Sequence, residues 1–199
     1  IYSKNREEWL ISDLACHMNS ITVVTFYDTL GDDTIGYILE QTKLTTIAME
    51  SMNLHKINKL TKENKNGGLK NIILYDIEDE ELIKESKALG LNIFTFTDII
   101  NYGKGKEIQY NPANPDTIAT FCYTSGTTGQ PKAVLLSHDN MTWLTRSLFH
   151  GYKNMLGQNN KIVSFLPLSH IAAQIMDIYR NMNLFSYSYF KKSDLFCSS

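Results

Sequence analysis

One segment of the chain combines the residue types that bind polyphosphates. Residues 123–132 read Tyr-Thr-Ser-Gly-Thr-Thr-Gly-Gln-Pro-Lys. Gly126 and Gly129 permit positive φ angles and close backbone approach, so successive N–H groups can form a concave anion-binding nest. The serine and threonine hydroxyls add donors, and Lys132 adds a cation. The segment is suited to hold a polyphosphate, although glycine and hydroxyl residues are also typical of ordinary turns.

This segment is not a P-loop, whose lysine follows a glycine directly and opens a helix. Here Gln130 and Pro131 separate Gly129 from Lys132, and the apolar residues 133–136 predict a strand. No Gly-x-Ser-x-Gly elbow surrounds Ser125, which argues against a serine nucleophile. We therefore expect backbone amides, hydroxyls and the lysine to bind the phosphates without a helix dipole.

The segment resembles the phosphate-loop signature of the adenylate-forming superfamily, which includes acyl-CoA synthetases, luciferases and nonribosomal adenylation domains. That signature reads Tyr-Thr-Ser-Gly-Thr-Thr-Gly-x-Pro-Lys-Gly-Val; the match includes Val134, whereas Ala133 replaces the usual glycine. The resemblance implies catalytic roles for Lys132 and Thr127. It also implies that ATP phosphates are bound by Thr124, Ser125, Gly126, Thr127, Thr128, Gly129 and Lys132.

Other segments resemble elements of the same superfamily. Residues 165–170, Phe-Leu-Pro-Leu-Ser-His, are similar to its Leu-Pro-Leu-x-His element. This likeness implies an acyl-substrate-side position for His170, although a histidine at a helix start can also be a capping or core residue. Residues 5–9 resemble the family's early helix, and Tyr-Asp-Thr-Leu-Gly at 27–31 is similar to eukaryotic long-chain acyl-CoA synthetases. Residues 169–174 look more like the bubblegum-type branch.

The resemblance implies an acid–thiol ligase, specifically a long-chain fatty acid–CoA ligase. Its reactants would be ATP, a fatty acid and coenzyme A, with Mg²⁺ as cofactor. The sequence contains no aromatic-Gly-x-Thr-Glu segment for adenine and no Thr-Gly-Asp segment for ribose. We therefore expect a fragment of a longer enzyme, without its C-terminal domain and inactive in isolation.

Three alternatives remain open. The first is a non-catalytic nucleotide-binding remnant. The second is another adenylate-forming ligase, such as an aryl-CoA ligase, a luciferase-like enzyme or a peptide-synthetase adenylation domain. The third is a structural α/β domain with no role in adenylation.

Composition excludes several further classes. The 199 residues carry 19 Lys and Arg against 21 Asp and Glu, a net charge of −2, whereas nucleic-acid binders carry a basic excess. Cys16, Cys122 and Cys197 form no CxxC pair, so neither a disulfide framework nor a cysteine metal site is predicted. The apolar residues 162–176 include Pro167 and polar side chains, so they make a poor membrane span. We expect a cytoplasmic location or peripheral association with the cytoplasmic face of membranes such as the endoplasmic reticulum.

The elements that position these residues alternate along the chain. β-branched and apolar runs predict strands at 21–26, 44–49, 71–75, 91–96, 117–123, 133–136 and 161–166. Apolar spacing predicts a first helix that Asn5 caps and that carries Leu10, Ile11, Leu14 and Met18 on one face. A second helix, capped by Asp32 or Asp33, has Ile35, Ile38 and Leu39 on one side. Further helices are predicted at 55–65, at 79–89, from a cap at Ser137 or Asn140 to near Gly151, and at 170–182. This alternation predicts an α/β fold of mostly parallel sheets with covering helices.

The resemblance places this fold in the large N-terminal domain of acyl-CoA synthetases. We expect residues 1–199 to be part of that AMP-binding domain, with a first βα portion at 1–110 and a phosphate-loop portion at 117–185. The glycines and prolines of residues 101–116 predict a connector between the portions.

Overall fold

A computed structural model of the protein describes residues 1–124, 131–152 and 163–179. The described residues form two compact units. The first comprises Ile1–Lys4 and Phe26–Gln109. The second comprises Asn5–Thr25, Tyr110–Thr124 and the described part of residues 132–179. The predicted division at residues 110 and 117 stays a prediction.

Strands and helices alternate along the described chain. The strands of that part are β1 Val23–Thr25, β2 Thr46–Met49, β3 Asn71–Leu74, β4 Asn92–Thr95, β5 Ile118–Thr124 and β6 Lys132–Ser137. Its helices are α1 Glu7–His17, α2 Asp32–Thr42, α3 Leu54–Lys62, α4 Glu80–Ala88, α5 Phe96–Gly103, α6 His138–Tyr152 and α7 Ile171–Ala173. Ser51–Asn53 is a 3₁₀ turn, and α7 continues as a π-helix over Gln174–Tyr179.

The first unit is built on a parallel sheet of order β2-β3-β4. Thr46 pairs with Asn71, which pairs with Asn92, so the strands start in register. Ile35, Ile38 and Leu39 of α2 are fully buried, and each such side chain contributes about 1.5–3 kcal/mol through burial. The predicted apolar face of α2 is therefore confirmed.

The second unit is built on a sheet of order β1-β5-β6. β1 is parallel to β5, and β5 forms an antiparallel hairpin with β6. Its core contains Ala119 of β5, Met141 of α6 and Ile175 of the π-helix. The two sheets confirm the predicted α/β class with mostly parallel strands.

Some predicted elements differ from the structure. Ile11 and Met18, predicted to face the core from α1, are 44% and 48% exposed, whereas Trp9 and Asp13 of the same helix are buried. Arg6, rather than Asn5, occupies the N-cap of α1, because the Asn5 side chain bonds to residues far along the chain.

Two further differences concern the existence of elements. Helix α5 begins inside the predicted strand 91–96 and continues into the predicted connector, because a capping box between Thr95 and Asp98 starts it. Residues 163–166, predicted as the end of a strand, are not in a strand, and residues 161–162 lie outside the described part. Helix 170–182 is confirmed from Ile171 to Tyr179, and residues 180–182 lie outside the described part.

Candidate functional site

The β5–β6 hairpin carries both ends of the predicted phosphate loop. Thr124 is the last residue of β5 and Lys132 the first of β6, and the two pair across the strands. The Thr124 hydroxyl donates a long hydrogen bond of 3.4 Å to the backbone oxygen of Lys132. Both residues are exposed. The hairpin therefore places Thr124 and Lys132 opposite each other at the two ends of the predicted loop.

Strand β5, which ends at Thr124, pairs with a strand on each side. β5 is the central strand of its sheet, between β1 and β6, and Cys122 and Tyr123 are buried just before Thr124. Burial raises the pKa of the Cys122 thiol, which keeps it protonated and unreactive at neutral pH. Neighbouring strands thus support β5 where it leads into the loop. The Cys122 thiol is not a nucleophilic thiolate.

Most of the predicted loop falls outside the described residues. Ser125, Gly126, Thr127, Thr128 and Gly129 are in this group, so their phosphate contacts and the catalytic role of Thr127 stay predictions. Of the predicted phosphate-binding set, the structure places Thr124 and Lys132, and it brings them together.

His170 lies on a different segment of the second unit, at the start of α7. It is the N-cap residue, and its Nδ1 accepts a hydrogen bond of 3.1 Å from the Ala172 N–H. Because Nδ1 accepts, the hydrogen of the neutral ring lies on Nε2. The residue is exposed, so His170 presents Nε2 as a hydrogen-bond donor. The interpretation of His170 as a capping residue is therefore correct. The capping bond fixes the orientation of the ring and leaves Nε2 able to contact a substrate.

A buried polar network that the sequence analysis missed lies between α1, β5 and the π-helix. The Tyr179 hydroxyl is 2.9 Å from Asp13 Oδ2 and 2.8 Å from His17 Nδ1. His17 Nε2 is 3.2 Å from the Ala119 carbonyl oxygen and 3.7 Å from Asp13 Oδ1. The signal in the sequence is the spacing of Trp9, Asp13 and His17, which places one apolar and two polar residues on the same helix face.

Hydrogen-bond chemistry orders the contacts of this network. The Ala119 carbonyl only accepts, so His17 Nε2 donates to it. The Tyr179 hydroxyl donates its one hydrogen to Asp13 Oδ2 and also contacts His17 Nδ1. The hydroxyl therefore joins the buried carboxyl to the imidazole.

Burial perturbs the titration of this network. It raises the pKa of the Asp13 carboxyl, against the opposing charge of His17. It also raises the pKa of Tyr179, and the neighbouring Asp13 charge adds to that effect. His138, whose ring lies edge-on to His17 at 5.1 Å, has its pKa lowered by burial and by His17.

The described residues offer no protein-only metal site. No group of three His, Cys, Asp or Glu side chains among residues 1–124, 131–152 and 163–179 is placed to hold an ion. Across the same ranges, no helix has the length and apolar character needed to cross a membrane.

The two units and the hairpin are those of an α/β domain of the adenylate-forming type. The chain belongs to the AMP-binding enzyme family, whose family model matches residues 1–183. It is 33% identical over 179 residues to long-chain-fatty-acid–CoA ligase 1 of Cavia porcellus, and the alignment covers 88% of the chain and 26% of that relative. It is 35% identical over 179 residues to fatty acyl-CoA synthetase B of Dictyostelium discoideum, with the same coverage.

A solved structure shares the fold. The A-PCP didomain of carboxylic acid reductase from Segniliparus rugosus, in complex with AMP, superposes with a TM-score of 0.70 at 20% identity. That superposition covers 87% of this chain and 26% of the other. The chain spans about a quarter of the length of the curated relatives it matches.

Proposed function

We propose that this chain is the phosphate-binding front part of a long-chain fatty acid–CoA ligase. The observation that carries the proposal is the β5–β6 hairpin, which pairs Thr124 with Lys132 at the two ends of the signature loop. Similar proteins named as long-chain-fatty-acid–CoA ligase and fatty acyl-CoA synthetase support the substrate class. The full-length enzyme would convert a fatty acid, ATP and coenzyme A to acyl-CoA.

The first half-reaction joins two anions. A carboxylate oxygen of the fatty acid attacks the α-phosphorus of ATP, the bond to the β-phosphate oxygen breaks, and pyrophosphate leaves. Negative charge grows on the departing phosphates, and preorganised donors and cations stabilise such charge. The loop amides, the hydroxyls of Thr124, Ser125, Thr127 and Thr128, and the Lys132 ammonium would do so here. Gly126 and Gly129 would permit close approach of the backbone.

The second half-reaction releases the nucleotide. The coenzyme A thiol gives its proton to solvent, the resulting thiolate attacks the acyl carbonyl of the acyl-adenylate, the bond to the phosphate oxygen breaks, and AMP leaves. The nucleophiles of both steps are substrate atoms, so the chain itself needs no nucleophilic side chain. This agrees with the protonated, buried state of Cys122.

The residues at the hairpin fit a Mg²⁺ ion that arrives with ATP. Mg²⁺ is commonly held by substrate phosphates, waters and few protein ligands, and the exposed Thr124 hydroxyl is a hard oxygen donor beside the loop. The ion would neutralise phosphate charge, while Lys132 would supply the protein's own positive charge.

We place His170 on the acyl side of the reaction and the protein at the cytoplasmic face of membranes. The exposed Nε2 donor of His170 supports the first assignment, since a carboxylate or acyl oxygen is a suitable acceptor. The apolar substrate supports the second, because a long acyl chain partitions into lipid.

An exchange assay on the full-length ligase tests the proposal. ATP–pyrophosphate exchange is measured with palmitate, benzoate and an amino acid, for the wild type and for Lys132→Ala. We expect exchange with palmitate only, and a loss of roughly 10²–10³-fold in Lys132→Ala, as when one stabilising donor of an active site is removed. Lys70→Ala, which removes an exposed lysine of the first unit, should leave the rate unchanged.

Each other outcome contradicts a separate part of the proposal. Exchange with benzoate or the amino acid alone would assign a different substrate class. Exchange that is insensitive to Lys132→Ala would remove the lysine from catalysis. No exchange with any acid would favour a non-catalytic remnant.

A further inference from the structure

We propose that Asn5 is a positioning residue that orients His170 toward the acyl substrate. This inference rests on the function proposed above, because it concerns the same acyl side. Asn5 is distant in sequence from His170, but both belong to the second unit. The connection between them is a short backbone segment, residues 166–170, that the Asn5 side chain holds directly.

The Asn5 amide bonds to both sides of Pro167. Its Nδ2 donates to the Leu166 carbonyl oxygen at 2.9 Å, and its Oδ1 accepts from the Leu168 N–H at 2.7 Å. The carbonyl can only accept and the N–H can only donate, so both bonds require a side chain with one donor and one acceptor. An amide meets that requirement, whereas a carboxylate satisfies only the Leu168 bond.

Two further side chains complete the support of this segment. Gln174 Nε2 donates to the Leu168 carbonyl at 2.9 Å, and the Thr25 hydroxyl donates to the Ser169 carbonyl at 3.0 Å. Leu168 and Ser169 are 5% and 2% exposed. Unpaired buried backbone groups cost free energy, so these bonds select one conformation of the segment.

That conformation places the His170 ring. The His170 N–H donates to the Pro167 carbonyl at 2.8 Å, and the ring Nδ1 accepts from the Ala172 N–H. The backbone before His170 and the ring atom nearest the helix are therefore both fixed. Nε2 is left as the donor, at a position that depends on the bonds made by Asn5.

Such a role has a kinetic signature. Misplacing a substrate-contacting group by about 1 Å can cost up to 10²-fold in rate. Displacement of His170 should therefore affect the fatty acid and leave ATP binding intact, because Thr124 and Lys132 lie on the hairpin and do not bond to Asn5. A general loss of folded enzyme would instead lower kcat without a change in either KM.

The test is Asn5→Asp in the full-length ligase, with steady-state kinetics for fatty acid and ATP. We expect kcat/KM for the fatty acid to fall about tenfold, with KM for ATP unchanged. Asn19→Asp is the matched control, since the half-buried Asn19 side chain donates to the Ala15 carbonyl four residues before it. That variant should behave as the wild type.

A double-mutant cycle separates positioning from other effects. If Asn5 acts through His170, Asn5→Asp should have no further effect on kcat/KM in a His170→Ala background. Additive losses would overturn the inference. If His170→Ala alone leaves fatty-acid kinetics unchanged, the acyl-side assignment fails, whereas loss of exchange with all acids would instead contradict the proposed function.

A second measurement does not depend on activity. Amide hydrogen exchange at Leu168 reports the bond to Asn5 Oδ1, and the ¹⁵N shifts of His170 report its single tautomer. In Asn5→Ala we expect faster exchange at Leu168 and averaged tautomers. Thr25→Val should produce a similar change and Thr25→Ser none. Unchanged exchange and unchanged ¹⁵N shifts in Asn5→Ala would overturn the inference even if the Asn5→Asp enzyme failed to fold.

Discussion

At the scale of residues, the buried Asp13 carboxyl predicts a pH dependence of stability. The pKa of Asp13 is raised by burial, whereas in the unfolded chain it is about 3.9. The folded state therefore binds more protons between these two values. The contribution of protonated Asp13 to the free energy of unfolding is fully present below about pH 4. That contribution is lost as the pH rises through the raised pKa of Asp13 in the folded state.

Asp13→Asn tests this prediction directly. The amide that this substitution introduces cannot ionise, and its oxygen would still accept from the Tyr179 hydroxyl as Asp13 Oδ2 does. We expect the variant to fold and to lose the wild type's decline in stability above pH 4. The free energy of unfolding, followed by the fluorescence of buried Trp9 in urea, is measured from pH 4 to 8. Parallel pH curves for the two proteins would contradict the prediction.

Removing the Tyr179 hydroxyl should lower the free energy of unfolding more than replacing Asp13 by asparagine does. Tyr179→Phe leaves a buried carboxylate oxygen and an imidazole nitrogen without the hydroxyl that joins them. We expect a loss of about 1–3 kcal/mol in unfolding free energy, measured by urea unfolding. Tyr102→Phe, at a 74% exposed position, is the control and should change stability little.

At the scale of elements, the hairpin leads directly into a capped helix. Ser137 Oγ accepts from the Asn140 N–H at 3.2 Å, and Asn140 Oδ1 accepts from the Ser137 N–H at 3.1 Å. We expect Ser137→Ala to lower the unfolding free energy by about 1 kcal/mol, measured in urea by Trp143 fluorescence. Ser147→Ala, at an exposed interior position of α6, should be neutral or slightly stabilising. Equal losses would contradict a specific cap.

The turn between α3 and β3 depends on one glycine more than on its neighbour. Gly67 has φ +63°, and a Cβ there would lie 2.1 Å from the Leu39 carbonyl oxygen, whereas Gly68, at φ +95°, has open space around it. Gly68→Ala should cost about 1–2 kcal/mol for its positive φ alone. Gly67→Ala should cost more, because the backbone of α2 must also move.

Amide hydrogen exchange in β2 and β3 measures how much each glycine substitution destabilises the first unit. Protection in Gly67→Ala should fall further than in Gly68→Ala, since only the Gly67 substitution clashes with the backbone of α2. Equal protection in the two variants would show that the close contact at Leu39 relaxes without cost.

The elements show which features of a sequence determine structure locally. Ile35, Ile38 and Leu39 are predicted correctly because an apolar stripe on one side of a helix is buried when the helix packs into its unit. Ser137 and Asn140 are predicted correctly because capping depends on neighbours in the chain. The strand at 117–123 is recognised for a similar reason, since its apolar run lies between turn signals.

Other features depend on residues far apart in sequence. Asn5 is predicted as a cap but bonds to Leu166 and Leu168. Asp13 and His17 are buried because Tyr179 and the Ala119 carbonyl pair with them, and no local pattern contains that information. The phosphate loop is predicted from its residue order, whereas the pairing of Thr124 with Lys132 at its two ends depends on the register of β5 and β6.

At the scale of the whole molecule, the sequence contains the loop predicted to bind phosphate but no adenine or ribose motif. It spans about a quarter of the length of its curated relatives. If the phosphate loop makes all the contacts of residues 1–199 with ATP, then the loop binds only the three phosphates. Inorganic tripolyphosphate offers the same three phosphates to the loop. The nucleoside part of ATP should then add little affinity to this chain.

We therefore expect residues 1–199 alone to bind tripolyphosphate about as tightly as ATP, and to form no acyl-CoA. The full-length ligase should prefer ATP, because adenine and ribose contacts add to the phosphate contacts. Equilibrium dialysis at low salt, where charge attraction is least screened, compares the two ligands for each protein, and Lys132→Ala should weaken both in the short chain. A strong preference of the short chain for ATP would mean that nucleoside recognition lies within these 199 residues. Robust acyl-CoA formation by the short chain would mean that catalysis lies within them as well.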